Sequence, residues 1–202
     1  MEQPERSEDS RQAVLDAVCR RLWGHDESKI RIADICHETG LSSSVIYNYF
    51  RSRQGLIDAA YLTIYQEIAA GVVANTREVA DEVTTNEAFI DNLRAMITDP
   101  ARRKEFESRR HMRLRIATAA ISRASMQHDF ALLQHEFLAD LSGCFADMQA
   151  RGAVGDLLSP DQLAIMFEVC LLMRSFTDIA IEPLSDEEWL GMLEAVLTSA
   201  HD

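Results

Sequence analysis

A chain of 202 residues with 47% hydrophobic and 26% charged residues, 4 Pro and 8 Gly is too apolar for disorder and too poor in breakers for a loop-rich β architecture, so helices are expected. A net charge of -13 excludes a uniformly basic nucleic-acid binder, because phosphate contacts need Lys and Arg. The charge is unevenly spread: residues 1–58 hold 8 Lys and Arg against 10 Asp and Glu, and residues 59–202 hold 12 against 23.

In chain order, residues 1–9 are expected to be a disordered polar tail. From Ser10, Val14, Leu15, Val18, Leu22 and Trp23 recur at helical spacing until Gly24, which predicts a first helix. Two short helices are expected near 32–39 and 42–49. Gly40 lies between them, where a left-handed turn carries no Cβ penalty. Ser52 suits the cap of a helix running to about residue 75 through Leu56, Ile57, Ala60, Ile64, Ile68 and Val72. Residues 77–86 read as helix end and connection. A helix from Glu87 to Thr98 follows, broken at Asp99-Pro100.

Residues 102–115 are a basic island: Arg102, Arg103, Lys104, Arg109, Arg110, Arg113 and Arg115 stand beside only Glu105 and Glu107. An amphipathic helix over 129–151 carries Phe130, Leu133, Phe137, Leu141, Phe145 and Met148 and stops at Gly152. Ser159-Pro160-Asp161-Gln162 and Ser185-Asp186-Glu187-Glu188 are helix starts, with a capping Ser and a Gln or Glu placed to bond back. Between them, Leu163 to Ile181 is apolar nearly all round. The last helix has two apolar stripes, Trp189/Met192/Val196 and Leu190/Leu193/Leu197, more than one packing contact needs. The expected fold is all-α: an N-terminal three-helix helix-turn-helix head over 10–58, joined to a larger helical ligand-binding and dimerisation body over 59–202.

The stretch Ile30 to Leu56 carries the chemistry. A helix entering the DNA major groove needs small or polar side chains at its start. Ser42, Ser43 and Ser44 supply them, with Ile35, Leu41, Ile46 and Phe50 as the apolar lock beneath. Asn48 suits a bidentate contact to adenine, and Val45 the thymine methyl. Tyr47, Tyr49 and Arg53 suit phosphate, which fixes register without reading sequence. The plain alternatives stay open: Ser42 as a cap only, Tyr49 as packing only.

Ile32-Ala33-Asp34-Ile35, Gly40-Leu41-Ser42, Tyr47-Asn48-Tyr49-Phe50, Arg53 and Leu56 together resemble the N-terminal signature of the TetR family of bacterial transcriptional repressors, over roughly residues 10–65. The resemblance implies a homodimer with two DNA-binding heads, a ligand pocket in each body, and repression relieved when an inducer spreads the heads. It places Tyr47 and Arg53 on phosphate, and Ser43 to Val45 with Asn48 on bases. Four departures stand out: Arg53 for the usual Lys, Cys36 for Ala, Ser44-Val45 for Gly-Thr, and Arg31 for a capping Thr. Arg31 then becomes a candidate phosphate contact.

For the body, the helices near 161–181 and 186–199 are expected to form a four-helix bundle with a second copy. Two heads then imply a palindromic double-stranded operator. The expected effector is an apolar small molecule, with an anionic one favoured if the basic island faces it. Candidate ligand contacts are Phe106, Arg109, Met112, Arg113, Ile116, Phe137, Phe167, Cys170 and Met173, each with core packing as its alternative. The island itself admits three readings: a solvated face balancing local acid, a contact to the head, or an anion site.

No nucleotide loop, nucleophile elbow or H-E-x-x-H occurs, so no enzyme is expected. His128 and His135 lack supporting ligands for a metal, and no cofactor is expected. A redox-responsive regulator using Cys144 or Cys170 is one alternative, and a DNA-binding activator is another. The four scattered cysteines form no C-x-x-C pair. Neither an apolar leader nor an apolar run of roughly 18 residues is read from the sequence, so a cytoplasmic protein without membrane contact is expected.

Overall fold

The computed structural model describes residues 3–197; Met1, Glu2 and residues 198–202, including the end of the expected last helix, lie outside them. Nine α-helices and no strand are found among the described residues. They are α1 Gln3–Gly24, α2 Ile32–Thr39, α3 Ser43–Phe50, α4 Arg53–Glu82, α5 Asn86–Thr98, α6 Pro100–Ser122, α7 Ala124–Ala150, α8 Pro160–Thr177 and α9 Asp186–Leu197, with a 3-10 turn at Glu27–Lys29. The chain forms two compact units. One gathers the chain through Glu67 with Thr118–Phe130, and the other gathers Ile68–Ala117 with the chain from Ala131 on.

In the first unit, α1 packs on α2 and α3 through Val14, Val18, Leu22, Ile35 and Ile46, all fully buried. Arg20 and Arg21 of α1 both pair with Glu38 of α2. The Arg20 hydrogen bond, then the one from Arg21, holds the Glu38 carboxyl below its ordinary value. Helix α1 begins at Gln3 rather than Ser10, which corrects the expected tail. Two contacts support the added turns: Glu8 pairs with Arg11 at 3.4 Å, and Ser7 Oγ lies 3.3 Å from the Tyr49 hydroxyl.

The first unit also extends beyond residue 58. Asp58, 5% exposed, accepts hydrogen bonds from Gln54 (2.9 Å), Arg123 (3.0 Å) and Ser125 (2.7 Å). Arg123 also pairs with Glu27 and lies 5.9 Å from the Tyr61 ring centre. Tyr65 and Phe130 are ring neighbours at 4.8 Å, and Met126 is fully buried. A buried carboxylate needs partners, and Asp58 finds two of them more than sixty positions away.

The second unit takes the rest of α4, with α5, most of α6 and α7, α8 and α9. Helix α4 runs seven residues past the expected end at 75, to Glu82. The polar stretch after Thr76 still offers Ala80 and Val83 to the core, and the Thr76 hydroxyl is satisfied by the Val72 carbonyl at 2.8 Å. By length and a mean hydropathy of 1.2, α4 meets the requirement for a membrane span, contrary to the sequence reading; 56% of that stretch is buried inside the protein, as in a core helix. Asp99-Pro100 both ends α5 and starts α6, since the Asp99 carboxylate accepts from Ala101 N–H at 2.8 Å. The start at Ser159 is a full capping box. At Ser185 the Glu188 carboxylate takes the Ser185 N–H and hydroxyl, each at 2.8 Å, and is held below its ordinary value by them. Helix α8 ends at Thr177, four residues before the expected Ile181.

Helix α8 is not buried all round within the chain. Leu163, Ala164 and Phe167 are buried, while Ile165, Val169, Met173 and Phe176 are about half exposed (49–52%). Their spacing of 4, 4 and 3 puts them on one face.

Candidate nucleic-acid interface and ligand cavity

Gly40 takes a left-handed conformation (φ 69°) and closes α2 with its N–H on the Cys36 carbonyl at 2.9 Å. This turns the chain into α3, whose first free donor is met by Ser42: its Oγ accepts from Val45 N–H at 3.4 Å. Ile46 and Phe50 anchor α3 from below. Ser42, Ser43, Ser44, Tyr47 and Asn48 are exposed, whereas Val45 and Tyr49 are half-buried. Tyr49 meets the Phe50 ring edge-on at 6.2 Å, so packing and the bond to Ser7 fix its place. Arg31 is exposed at the N-cap of α2 and makes no side-chain capping bond.

Arg53 differs from the sequence expectation. Its Nε donates to the Ile30 carbonyl at 2.8 Å and its Nη2 to the Glu27 carbonyl, so it ties the 3-10 turn to α4 and offers fewer of its five donors to a phosphate. Sequence reasoning passed over Arg51. It is exposed at the C-cap of α3 with φ 63°, and the Ser52 N–H bonds the Phe50 carbonyl at 2.7 Å across it. No local residue pattern signals that conformation for an Arg. A methyl at Gly55 would run into the Phe50 carbonyl oxygen, so the turn needs glycine there.

The second unit encloses a cavity of about 650 Å³, inside the range of small-molecule sites. Of the nine sequence candidates, Phe106, Arg109, Arg113 and Phe167 line it. The other five do not. Met112, Ile116 and Phe137 are buried in packing, with the Arg113 guanidinium 5.0 Å from the Phe137 ring centre. Cys170 is half-buried off the wall, and Met173 lies on the exposed face of α8. The apolar wall comes instead from α4, α5 and α9, with Val72, Phe89, Leu93 and Trp189 among its residues. Those positions also read as ordinary core.

The basic island lies on α6 and is heavily paired. Arg113 and Glu168 form a buried ion pair, and Arg109 meets Glu105 at 2.6 Å. Arg110 bonds Asp178 at 2.7 Å, Arg174 meets Asp178 at 3.4 Å and Asp186 at 2.9 Å, and Arg103 meets Asp186. The result is a continuous ladder, Arg103–Asp186–Arg174–Asp178–Arg110, on the cavity wall. Beyond Glu105 on α6 itself and Asp99 just before it, the acid that balances the island comes from α8, α9 and the segment between them.

Burial raises the thiols of Cys144 and Cys170, and pushes Cys19 up to about 12. A raised thiol is a poor nucleophile near neutrality, which runs against the redox alternative. Among the described residues no group of three His, Cys, Asp or Glu side chains could hold a metal ion.

No protein-family model matches the chain. It is 34% identical to the HTH-type transcriptional regulator AlkX of Mycobacterium tuberculosis over 93 residues, which is 45% of this chain and 42% of that protein. Solved structures share its fold, three of them as follows. A TetR-family transcriptional regulator from a Rhodococcus species matches with a TM-score of 0.64 and 19% identity, covering 93% of this chain and 96% of that one. One from Mesorhizobium loti gives 0.67 and 15%, covering 94% of each. A transcriptional regulator from Saccharomonospora viridis, solved in complex with choline, gives 0.62 and 16%, covering 93% of this chain and 95% of that one.

Proposed function

We propose that this chain, which has the fold of TetR-family regulators, is a DNA-binding transcriptional regulator and not an enzyme: a repressor that holds a palindromic operator as a dimer and lets go when a small molecule fills its body. The observation that carries this is the exposed polar face of α3, with Ser42 to Ser44 and Asn48 presented over the buried Ile46 and Phe50. DNA binding is assigned to the first unit, effector binding and dimerisation to the second. Such a protein works in the cytoplasm, where the operator is.

The exposed stripe of Ile165, Val169, Met173 and Phe176 on α8, with Met192 on α9 at 53% exposure, supports the dimer, because half-exposed apolar side chains in one row suit a second copy of the same face. Operator half-sites then lie about one DNA turn apart. Helices α4, α6 and α7 each contribute residues to both units, which gives effector binding a covalent route to the head. One structural neighbour holds choline; the arginines on this cavity's wall are ill suited to a cation.

The test is anisotropy titration of the full chain on DNA selected from a random pool. A selective operator is expected, with Asn48→Ala weakening it by about 1–3 kcal/mol and Tyr47→Ala weakening all sequences alike. Absence of any sequence-selective binding, or indifference to both substitutions, would overturn the reading. Light scattering should give a dimer mass, reduced to that of a monomer in Val169→Glu/Met173→Glu.

A further inference from the structure

The ladder on the cavity wall holds three guanidiniums, Arg103, Arg110 and Arg174, against two carboxylates, Asp178 and Asp186, one positive charge in excess. Apart from Arg103 its side chains are only 11–20% exposed, so solvent neutralises that excess poorly. Glu107 also lines the cavity but is exposed and makes no ion pair with the ladder among the described residues. Arg110 ends the ladder. Its Nη2 bonds Asp178, and its Nε–H is closed off from the cavity as from solvent, so Arg110 serves the wall through its charge. One excess charge on the cavity wall calls for one negative charge. The remaining wall, including Val72, Phe89, Leu93, Phe145 and Leu171, calls for hydrocarbon.

We propose that the cavity takes an amphipathic monocarboxylate, its hydrocarbon body on the apolar wall and its carboxylate paired with the Arg110 guanidinium at the end of the ladder. The proposal rests on the effector-binding reading above and names its ligand class. A phosphate monoester carries closer to two charges near neutral pH and overshoots the excess. A neutral alcohol leaves the charge in place, and a quaternary ammonium adds to it.

Calorimetry on the DNA-free full chain separates these, using decanoate, decanol, decyltrimethylammonium and decyl phosphate, all below micelle formation. Decanoate should bind at least about tenfold more tightly than the other three, a difference of about 1.4 kcal/mol. Arg110→Gln should weaken decanoate by about tenfold or more and leave decanol unchanged, and Arg110→Lys should recover part of the loss. Thermal melts of both variants establish that they fold. The proposal is overturned if decanoate does not bind, if any of the other probes matches it, or if Arg110→Gln binds it like the parent. Decanoate binding in a chain with no operator would sink the regulator reading alone, and operator binding without decanoate binding would sink this one alone.

Discussion

The two units bury charge in opposite ways. In the first, Asp58 is surrounded by Gln54, Arg123 and Ser125, and Arg123 is also held by Glu27. That network is closed: each charge serves to hold another chain segment. In the second, the arginine–aspartate ladder lines a cavity and sets three guanidiniums against two carboxylates. A closed network is a structural device, and an unbalanced one beside a cavity suits the ligand proposed above. The same residue types differ in this way according to whether every charge is met.

Breaking the closed network should have the largest effect. Arg123→Ala leaves the Asp58 carboxylate buried without its cation, and is expected to cost about 3–5 kcal/mol in urea unfolding. A loss near zero would mean that the pair is as dispensable as an exposed one. Arg113→Ala should cost a similar amount by stranding Glu168, whereas the double change Arg113→Met/Glu168→Leu is expected to come close to the parent or exceed it. If the double variant is as weak as the single one, the pair contributes more than charge balance. Gly55→Ala, which drives a methyl into the Phe50 carbonyl, should cost about 1–3 kcal/mol and weaken DNA binding with it. Ser159→Ala removes the cap of α8 for about 1 kcal/mol.

The smallest effect sharpens the comparison by pH. Glu38 in the head is held below its ordinary value by Arg20 and Arg21, and Glu188 in the body by the Ser185 N–H and hydroxyl. A lowered carboxyl adds stability above its unfolded value and loses it as pH falls through the folded one. Stability should therefore decline on acidification below about pH 4.3, the unperturbed Glu range. In Glu38→Gln the part of that slope owed to Glu38 should disappear, measurable as a flatter plot of unfolding midpoint against pH.

The legible parts of this chain are those whose physics is short-range. Gly40, the Ser42 cap, and the starts at Ser159 and Ser185 each depend on neighbours within four positions, and the structure places them where the sequence does. The whole-chain TetR-family fold likewise follows from a signature inside residues 30–56. The cavity was half legible. Arg109 and Arg113 stood out as basic, but Arg174, Asp178 and Asp186 belong to the site only because the chain returns to Arg110 from 68 positions away. Nothing local distinguishes Asp178 from a helix-ending residue, or Trp189 on the wall from Trp189 in a core. The length of α1 and of α4 was missed for the same reason: Ser7 finds Tyr49, and Val79 finds the cavity, through tertiary contacts that override polar sequence.

Arg123 and Ser125 stand in sequence between the cavity-lining part of α6 and the rest of α7, yet they hold Asp58. On the regulator reading proposed above, a DNA-reading module transplanted by exchanging only residues 1–58 would carry its Asp58 away from both partners. Chimeras made from this protein should therefore move residues 118–130 together with the N-terminal segment, or install an Arg and a Ser at the matching corner of the recipient. A junction chosen by sequence continuity would be expected to yield protein that reads no operator, however intact its helix-turn-helix.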